Sequence, residues 1–296
     1  MLLSGNFMDK TFRHIKFRST KRNEWIPQIV SETNVCEKIS NQKFMIHFDD
    51  EINRKDLEPL HLVSLACLIE QIYSTGNEAY ISKDNPDVLK YITGDLGFQS
   101  YWSGGKNHVD AVNSSNIFNL WRITDSEKDM YAKQVESYLR STYFSKKDLS
   151  SVNVCLVEAF YNVFDHAEAK GNAFSLLSYD ERKGELHGAI CDFGIGIRKT
   201  LQSKYPEIIN DVEAINFSIK TGVTAQSTGR NKGFGMGNIV DNVDTIRIMS
   251  GNGLVVKMNN EIKSYTPTFT FPGTLLYFNI NLASLDDEVV MDVFSL

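Results

Sequence analysis

Three short stretches in the second half of the chain combine residue types suited to chemistry on an anionic substrate. The first is Glu158-Ala-Phe-Tyr-Asn162-Val-Phe-Asp165-His166-Ala167. On a helix, residues four apart share a face, so Glu158, Asn162 and His166 line up as one polar stripe. Leu156, Phe160, Val163 and Ala167 make the apolar face opposite. A carboxylate, an amide and an imidazole in a row can serve as base, metal ligand and phosphate contact. On its own, such a stripe is more often a solvated surface than a site. The second stretch is Cys191-Asp192-Phe193-Gly194-Ile195-Gly196-Ile197, directly after an apolar strand pattern. An Asp at a strand end can accept a hydrogen bond from a purine amino group, and the glycines open the backbone to close approach by a ring. These residues alone read equally well as a plain hairpin turn. The third is Gly229-Arg230-Asn231-Lys232-Gly233-Phe234-Gly235-Met236-Gly237-Asn238, running into a helix. Its glycines free backbone N–H groups to surround an anion, the helix N-terminus adds a favourable dipole, and Arg230 and Lys232 add charge. It lacks the Gly-Lys-Ser/Thr ending of a P-loop. It also lacks the third glycine and ribose acid of a dinucleotide fingerprint.

The elements that must position these stretches follow from periodicity and turn signals. Residues 148–167 read as a helix. Strands are expected at 174–179 and 186–191, joined by the tight turn Arg182-Lys183-Gly184. A helix at 237–243 precedes strands at 245–249 and 254–258, joined through Gly251-Asn252-Gly253, and a final strand at 273–282. That order predicts an α+β sandwich, one helix layer on one mostly antiparallel sheet. Upstream, Lys43–Phe48 is a strand pattern, and Pro59 opens a helix with Leu62, Leu65, Ala66, Ile69 and Ile72 at helical spacing until Gly76. A strand at 78–82, a helix from Pro86, a strand at 117–123 and an amphipathic helix at 126–143 complete a β-α repeat, expected to be a small α/β domain. The expected division is a basic extension over 1–40, the small domain over 41–145, and a larger domain over 146–296.

In their order and spacing the three stretches resemble the N, G1 and G2 boxes of the GHKL superfamily. That group spans gyrase-type topoisomerases, heat-shock chaperones, mismatch-repair ATPases, sensor histidine kinases and anti-sigma-factor serine kinases. The resemblance covers residues 148–282, about half the chain, and Phe271-Pro272-Gly273-Thr274 is a fourth concordant feature. It implies a Bergerat-type fold that binds ATP with Mg2+. By this resemblance Asn162 binds Mg2+ bridging the phosphates, Asp192 recognises the adenine amine, Gly194 and Gly196 line the base, and Thr274 helps to hold adenine. Gly233, Gly235 and Gly237 cradle the phosphates, in one segment with Arg230, Lys232, Phe234 and Met236. Glu158 matches the general base. Asp165 and His166 each match a different branch of the superfamily at the nucleotide site, so this box does not separate them. Residues 197–232 correspond to an ATP lid, with its helix at 207–219. The upstream domain loosely resembles the STAS-type domains that partner anti-sigma kinases. The implied activity is ATP hydrolysis or phosphoryl transfer to a protein hydroxyl. The helix at 126–143 holds no histidine, which argues against a sensor histidine kinase. The alternative is a non-catalytic ATP-gated switch.

Composition narrows the rest. The 296 residues are 42% hydrophobic and 23% charged, with net charge −6, as expected of a globular chain. Residues 1–23 depart from this, with Lys10, Arg13, Lys16, Arg18, Lys21 and Arg22 against Asp9 alone. A basic terminus of that kind allows a nucleic-acid or acidic partner, but a solvated tail is the plainer reading. A protein partner is expected, and a homodimer is allowed. Cys36, Cys67, Cys155 and Cys191 are scattered, which argues against zinc and disulfides and for a reducing, cytoplasmic setting. No apolar run reaches the roughly 18 residues of a membrane helix, and Met1-Leu2-Leu3 does not open a secretory signal pattern. His47, His61 and His108 are not spaced as ligands.

Overall fold

Two sheets and the helices between and behind them make up the fold. The computed structural model describes residues 12–102, 117–118, 120–124, 126–163, 167–169, 171–220 and 235–288. The first sheet is parallel, in the order β1 (Phe12–Phe17), β2 (Lys43–Phe48), β3 (Glu78–Ile81). Helices α1 (Arg22–Cys36) and α2 (Pro59–Ser74) make its crossovers, and α3 (Pro86–Lys90) and α4 (Phe98–Trp102) follow. The second sheet has seven strands and every pairing is antiparallel. They are β4 (Trp121–Arg122), β5 (Ala173–Asp180), β6 (Glu185–Asp192), β7 (Thr245–Gly251), β8 (Gly253–Met258), β9 (Glu261–Tyr265) and β10 (Phe271–Asn281), in the order β4-β5-β6-β10-β7-β8-β9. Helices α5 (Lys128–Thr142), α6 (Ser150–Asn162), α7 (Gly196–Gln202), α8 (Asp211–Ser218) and α9 (Gly235–Asp241) complete the described elements.

The central strands are buried on both faces, and side-chain alternation divides them between two cores. Leu177, Ile190, Leu276, Phe278 and Ile248 join a core with Leu156 and Phe160 of α6 and Ile239 of α9. Their neighbours Phe174, Leu176, Ala189, Cys191 and Leu275 point the other way, into a core filled by α2. Helix α2 is therefore apolar nearly all round, with twelve of its sixteen residues buried. It lies between the two sheets. Cys67 donates from Sγ to the Cys191 carbonyl, and Asn172 Nδ2 donates to the Cys67 carbonyl at 3.1 Å. The sandwich is thus helix, sheet, helix, sheet, where the sequence suggested a single helix layer.

Three expectations are corrected. Residues 12–36 are not an extension: they form β1 and α1. The periodicity of α1 is plain in Trp25, Ile26, Ile29, Val30, Thr33 and Cys36, all buried, although Pro27 and the surrounding cations obscure it. Those cations are partly neutralised, Arg13 by Glu32 at 3.8 Å, Lys21 by Glu24 at 3.7 Å and Arg22 by Glu58 at 2.6 Å. The strand pattern at 117–123 pairs through β4 with β5 of the large sheet, and α5 packs in the α6 core, so neither belongs with the small sheet. The parallel unit therefore closes by Trp102, not at 145. Strand β9 was not anticipated, because all five of its residues are exposed and no apolar period marks it.

The histidines are structural in two cases. His61 Nδ1 accepts the Glu58 amide at 2.9 Å while Nε2 bonds the Thr20 carbonyl at 2.8 Å, and burial lowers its pKa to about 4. His47 bonds His14 at 2.7 Å and Asp84 at 2.6 Å. His108 lies outside the described residues. All four cysteines are free and buried. No helix among the described residues is long and apolar enough to cross a membrane.

Because the core around α2 joins residues of both sheets, damage to it is felt by the whole molecule. Leu65→Ala, at a fully buried position, is expected to cost about 2–5 kcal/mol. Calorimetry is expected to show one transition moved down as a unit. Two separated transitions, with the large sheet melting as in the wild type, would refute the shared core.

Candidate functional site

The site is assembled from one end of the large sheet and the helices on its α6 side. At its base is Asp192, the last residue of β6, opposite Thr274 on β10 and Ala173 on β5. Its carboxylate is 4% exposed and accepts the Gly194 amide at 3.0 Å. Burial raises its pKa to about 7, against the opposing effect of backbone donors at Gly194 and Thr274. A carboxyl group held this way keeps its proton to avoid being charged out of water, and a donor that reaches it favours the ionised, strongly accepting form.

The chain reaches this arrangement through local irregularities. Between Phe271 and Thr274 the β10–β7 register slips, and Pro272 and Gly273 form a bulge. Bulges at sheet ends re-aim side chains, and proline inside a sheet is confined to such places. Gly273 has φ +101°, and a Cβ there would lie 2.2 Å from the Asp192 carbonyl oxygen. The turn after β6 is stitched to the segment following α6, since the Ile195 amide donates to the Ala167 carbonyl at 2.7 Å. Ser250 joins the third side. It accepts the Ile197 amide and donates to the Gly273 carbonyl, both at 2.9 Å.

The second cluster lies at the junction of α6 and α9. Glu158 and Asn162 stand one helical turn apart, as their spacing requires. A Cβ on Gly235 would be 3.3 Å from Asn162 Oδ1 and 3.7 Å from Glu158 Oε2, so both side chains point at the start of α9. Asn238 Nδ2 donates to Glu158 Oε1 at 3.4 Å. Burial pushes the Glu158 carboxyl pKa up, and the Asn238 hydrogen bond pulls it back. Glu158 Oε2 and Asn162 Nδ2 are buried without a hydrogen-bond partner among the described residues. Leaving such atoms unpaired costs about 1–3 kcal/mol each.

The segment after the β6 turn is tied to the β7–β8 hairpin. Asp211, at the start of α8, accepts the Asn252 amide at 3.0 Å and lies 3.3 Å from Arg198 of α7. Gly251 has φ +58°, and a Cβ there would sit 2.4 Å from the Asp211 carboxylate. Within the expected helix range 207–219 the structure has α8, which starts only at Asp211 because Asn210 caps it there by accepting the Glu213 amide at 2.8 Å, and α7 is a further helix before it.

The structure thus groups Asp192, Gly194, Gly196 and Thr274 in one cluster, and Glu158, Asn162 and Gly235 in another. Asp165, His166, Arg230, Lys232, Gly233 and Phe234 lie outside the described residues. Several of the expected site residues also have packing roles. Gly194 is needed because a Cβ would meet the Ala167 carbonyl oxygen at 1.9 Å, and Gly196 because one would meet Ser250 Oγ at 2.9 Å. Their open sides face this chain itself. Met236 is a core residue, packed with Ile239 and Val240, and Gly237 faces the Ile219 carbonyl, where a Cβ would stand at 3.1 Å. Sequence reasoning missed Ser250, which carries no local signal. It also missed Asn238, which closes the third glycine stretch. Among the described residues no three His, Cys, Asp or Glu side chains converge as a metal cluster. No protein-family model and no curated protein matches this chain.

The Asp192 proton sets a pH dependence whose sign follows from which state holds it. Folded Asp192 keeps its proton to about pH 7, whereas the unfolded chain releases it near 3.8. Between those values the folded state binds more protons, so stability falls as pH rises, and above about pH 7 the loss is complete. Asp192→Asn removes this titration. It is expected to gain on the wild type as pH rises from about 4 to 7, by on the order of 4 kcal/mol at most. Urea unfolding of both proteins across that range checks it. A difference that does not change with pH would remove the buried-proton account.

Proposed function

We propose that residues 146–288 form a Bergerat-type ATP site that uses Mg2+ and cleaves ATP, either to water or to a protein hydroxyl. The observation that carries this reading is the pair of clusters on one side of one sheet. The turn after the buried carboxyl at the end of β6 is bonded to Ala167, which follows α6 in the chain, and α6 presents Glu158 and Asn162 to the start of α9. The order of the motifs and their likeness to the GHKL boxes support the same reading.

In this reading Asp192 selects adenine, because a buried acceptor is best satisfied by an amino group, and binding such a donor favours its ionised form. The residues present suit Mg2+. Asn162 offers one oxygen ligand, which fits an ion that takes few protein ligands and completes its shell with phosphate oxygens and water. Mg2+ there would neutralise charge on the transferring phosphate. Glu158 is the general base: its raised pKa favours taking a proton from water or a hydroxyl, and Asn238 fixes its free rotation. Asn162 holds the phosphate end in register with it. The protein acceptor, a homodimer and nucleic acid binding at the basic N-terminus are further parts of the proposal. The ion pairs of Arg13, Lys21 and Arg22 within the chain leave the nucleic-acid reading the least supported. A non-catalytic ATP switch would keep Asp192 and Asn162 but has no use for a half-buried base at Glu158.

Paired measurements of nucleotide affinity and phosphate release test this. Glu158→Ala is expected to keep ATP binding and lower turnover about 10²–10⁴-fold. Asn162→Ala is expected to lose Mg2+-dependent binding and turnover together. Asp192→Asn is expected to weaken ATP binding by roughly 1.5–3 kcal/mol. No ATP binding by the wild type at millimolar nucleotide would overturn the proposal. Binding without release under any condition would favour the switch.

A further inference from the structure

We propose that the cleft where the parallel unit meets the large sheet is a second anion site, fitted to a small phosphorylated ligand. The cleft has a volume of about 650 Å3 and lies between the starts of α1 and α2, the turn at Arg54–Asp56, and β7. Lys21, Arg22, Lys55 and Arg247 bring four cations to it, and Asp56 and Glu58 bring two anions.

Glu58 is already committed. Arg22 donates to both of its carboxylate oxygens at 2.6–3.0 Å and lies over the Tyr277 ring at 4.9 Å. Arg247 stands directly across the ladder from Tyr277, so a second guanidinium is held beside the first. The Arg247 guanidinium makes no ion pair or hydrogen bond among the described residues. Burial, and next the charge of Arg22, hold its pKa below the ordinary guanidinium value. The fold therefore places a half-buried cation beside a like charge, and among the described residues the nearby anion that acts on it, Glu58, is already paired to Arg22, an arrangement that costs free energy. An oxyanion between Arg22, Arg247 and Lys55 removes both penalties.

Phosphate fits better than carboxylate. Its donors arrive from three directions, α1, the 54–56 turn and β7, which suits a tetrahedral group, and arginine binds phosphate through two parallel N–H bonds. Helix α1 also begins here with no side chain capping it, so its first N–H groups add to the donors. The cleft is separate from the proposed nucleotide site. Arg247 and Ser250 share β7, but three residues apart on an antiparallel strand they face opposite sides of the sheet.

The test is an NMR titration of the full chain, reading the Arg22 and Arg247 side-chain Nε–H signals. Inorganic phosphate is the probe, with chloride and acetate at matched ionic strength. Phosphate is expected to move both signals saturably, acetate more weakly and chloride not at all. Arg247→Gln is expected to weaken the phosphate constant read at Arg22 about tenfold. Lys55→Gln, at an exposed position, is expected to weaken it by a smaller factor, and it carries the test if Arg247→Gln does not fold. Three results would overturn the proposal. They are no phosphate-specific shift of either guanidinium, acetate binding as tightly as phosphate, or an unchanged phosphate constant in the folded variants.

Discussion

The constraint on which the structure depends is that the central strands of the large sheet are apolar on both faces. Strand β5 shows it most clearly: Ala173 to Leu177 are all buried, with Phe174 and Leu176 on one side and Ala173 and Leu177 on the other. A sheet of that kind cannot be left open to water, because each large apolar side chain exposed forgoes roughly 1.5–3 kcal/mol. One face takes α5, α6 and α9. The other requires a second cover of similar extent, and α2 supplies it only because the parallel sheet behind it buries its remaining sides. The two halves of the chain are therefore not separable modules joined by a linker.

This arrangement places the middle of α2 against the back of the candidate site. Cys67 contacts the Cys191 carbonyl, one residue before Asp192. Asn172, which anchors to the Cys67 carbonyl, accepts the Phe193 amide through its own carbonyl at 3.0 Å. A shift of α2 would move the two strands that set the position of the Asp192 carboxyl. Packed interfaces of this sort tend to shift between discrete arrangements rather than deform smoothly. The parallel unit is thus mechanically placed to influence the site without contributing a residue to its chemistry.

Much of the large sheet was legible in the sequence because turn chemistry is local. Arg182-Lys183-Gly184 and Gly251-Asn252-Gly253 mark hairpins wherever they occur, and the apolar runs beside them are strands on either side of the pairing rules. The stripe of Glu158 and Asn162 was legible for the same reason, since four residues fix one face of a helix. Partnership between distant segments was not. The pattern at 117–123 reads as a strand, but nothing in it says which sheet it joins. That choice rests on Trp121 stacking on Tyr131 at 4.4 Å within the α6 core. Likewise α1 was hidden by its charges, which look like a solvated tail until Glu58, thirty-six residues later, is seen to bind Arg22.

The glycines show how residues picked out for one reason can be required for another. Their spacing suggested room for a ligand. In the structure, Gly194, Gly196 and Gly273 are required because the chain packs against itself at Ala167, Ser250 and Asp192. That self-packing is what holds Asp192 dry. A glycine that merely admitted a ring could be replaced by alanine at the cost of affinity. Gly194 and Gly273 cannot be replaced without moving backbone, and Gly196 has φ +77°, so the turn after β6, the bulge before Thr274 and the chain at Ala167 hold one another in place. A buried carboxyl stays both desolvated and correctly aimed only if its surroundings cannot relax around it. The glycines supply that rigidity, and the candidate site's chemistry rests on it.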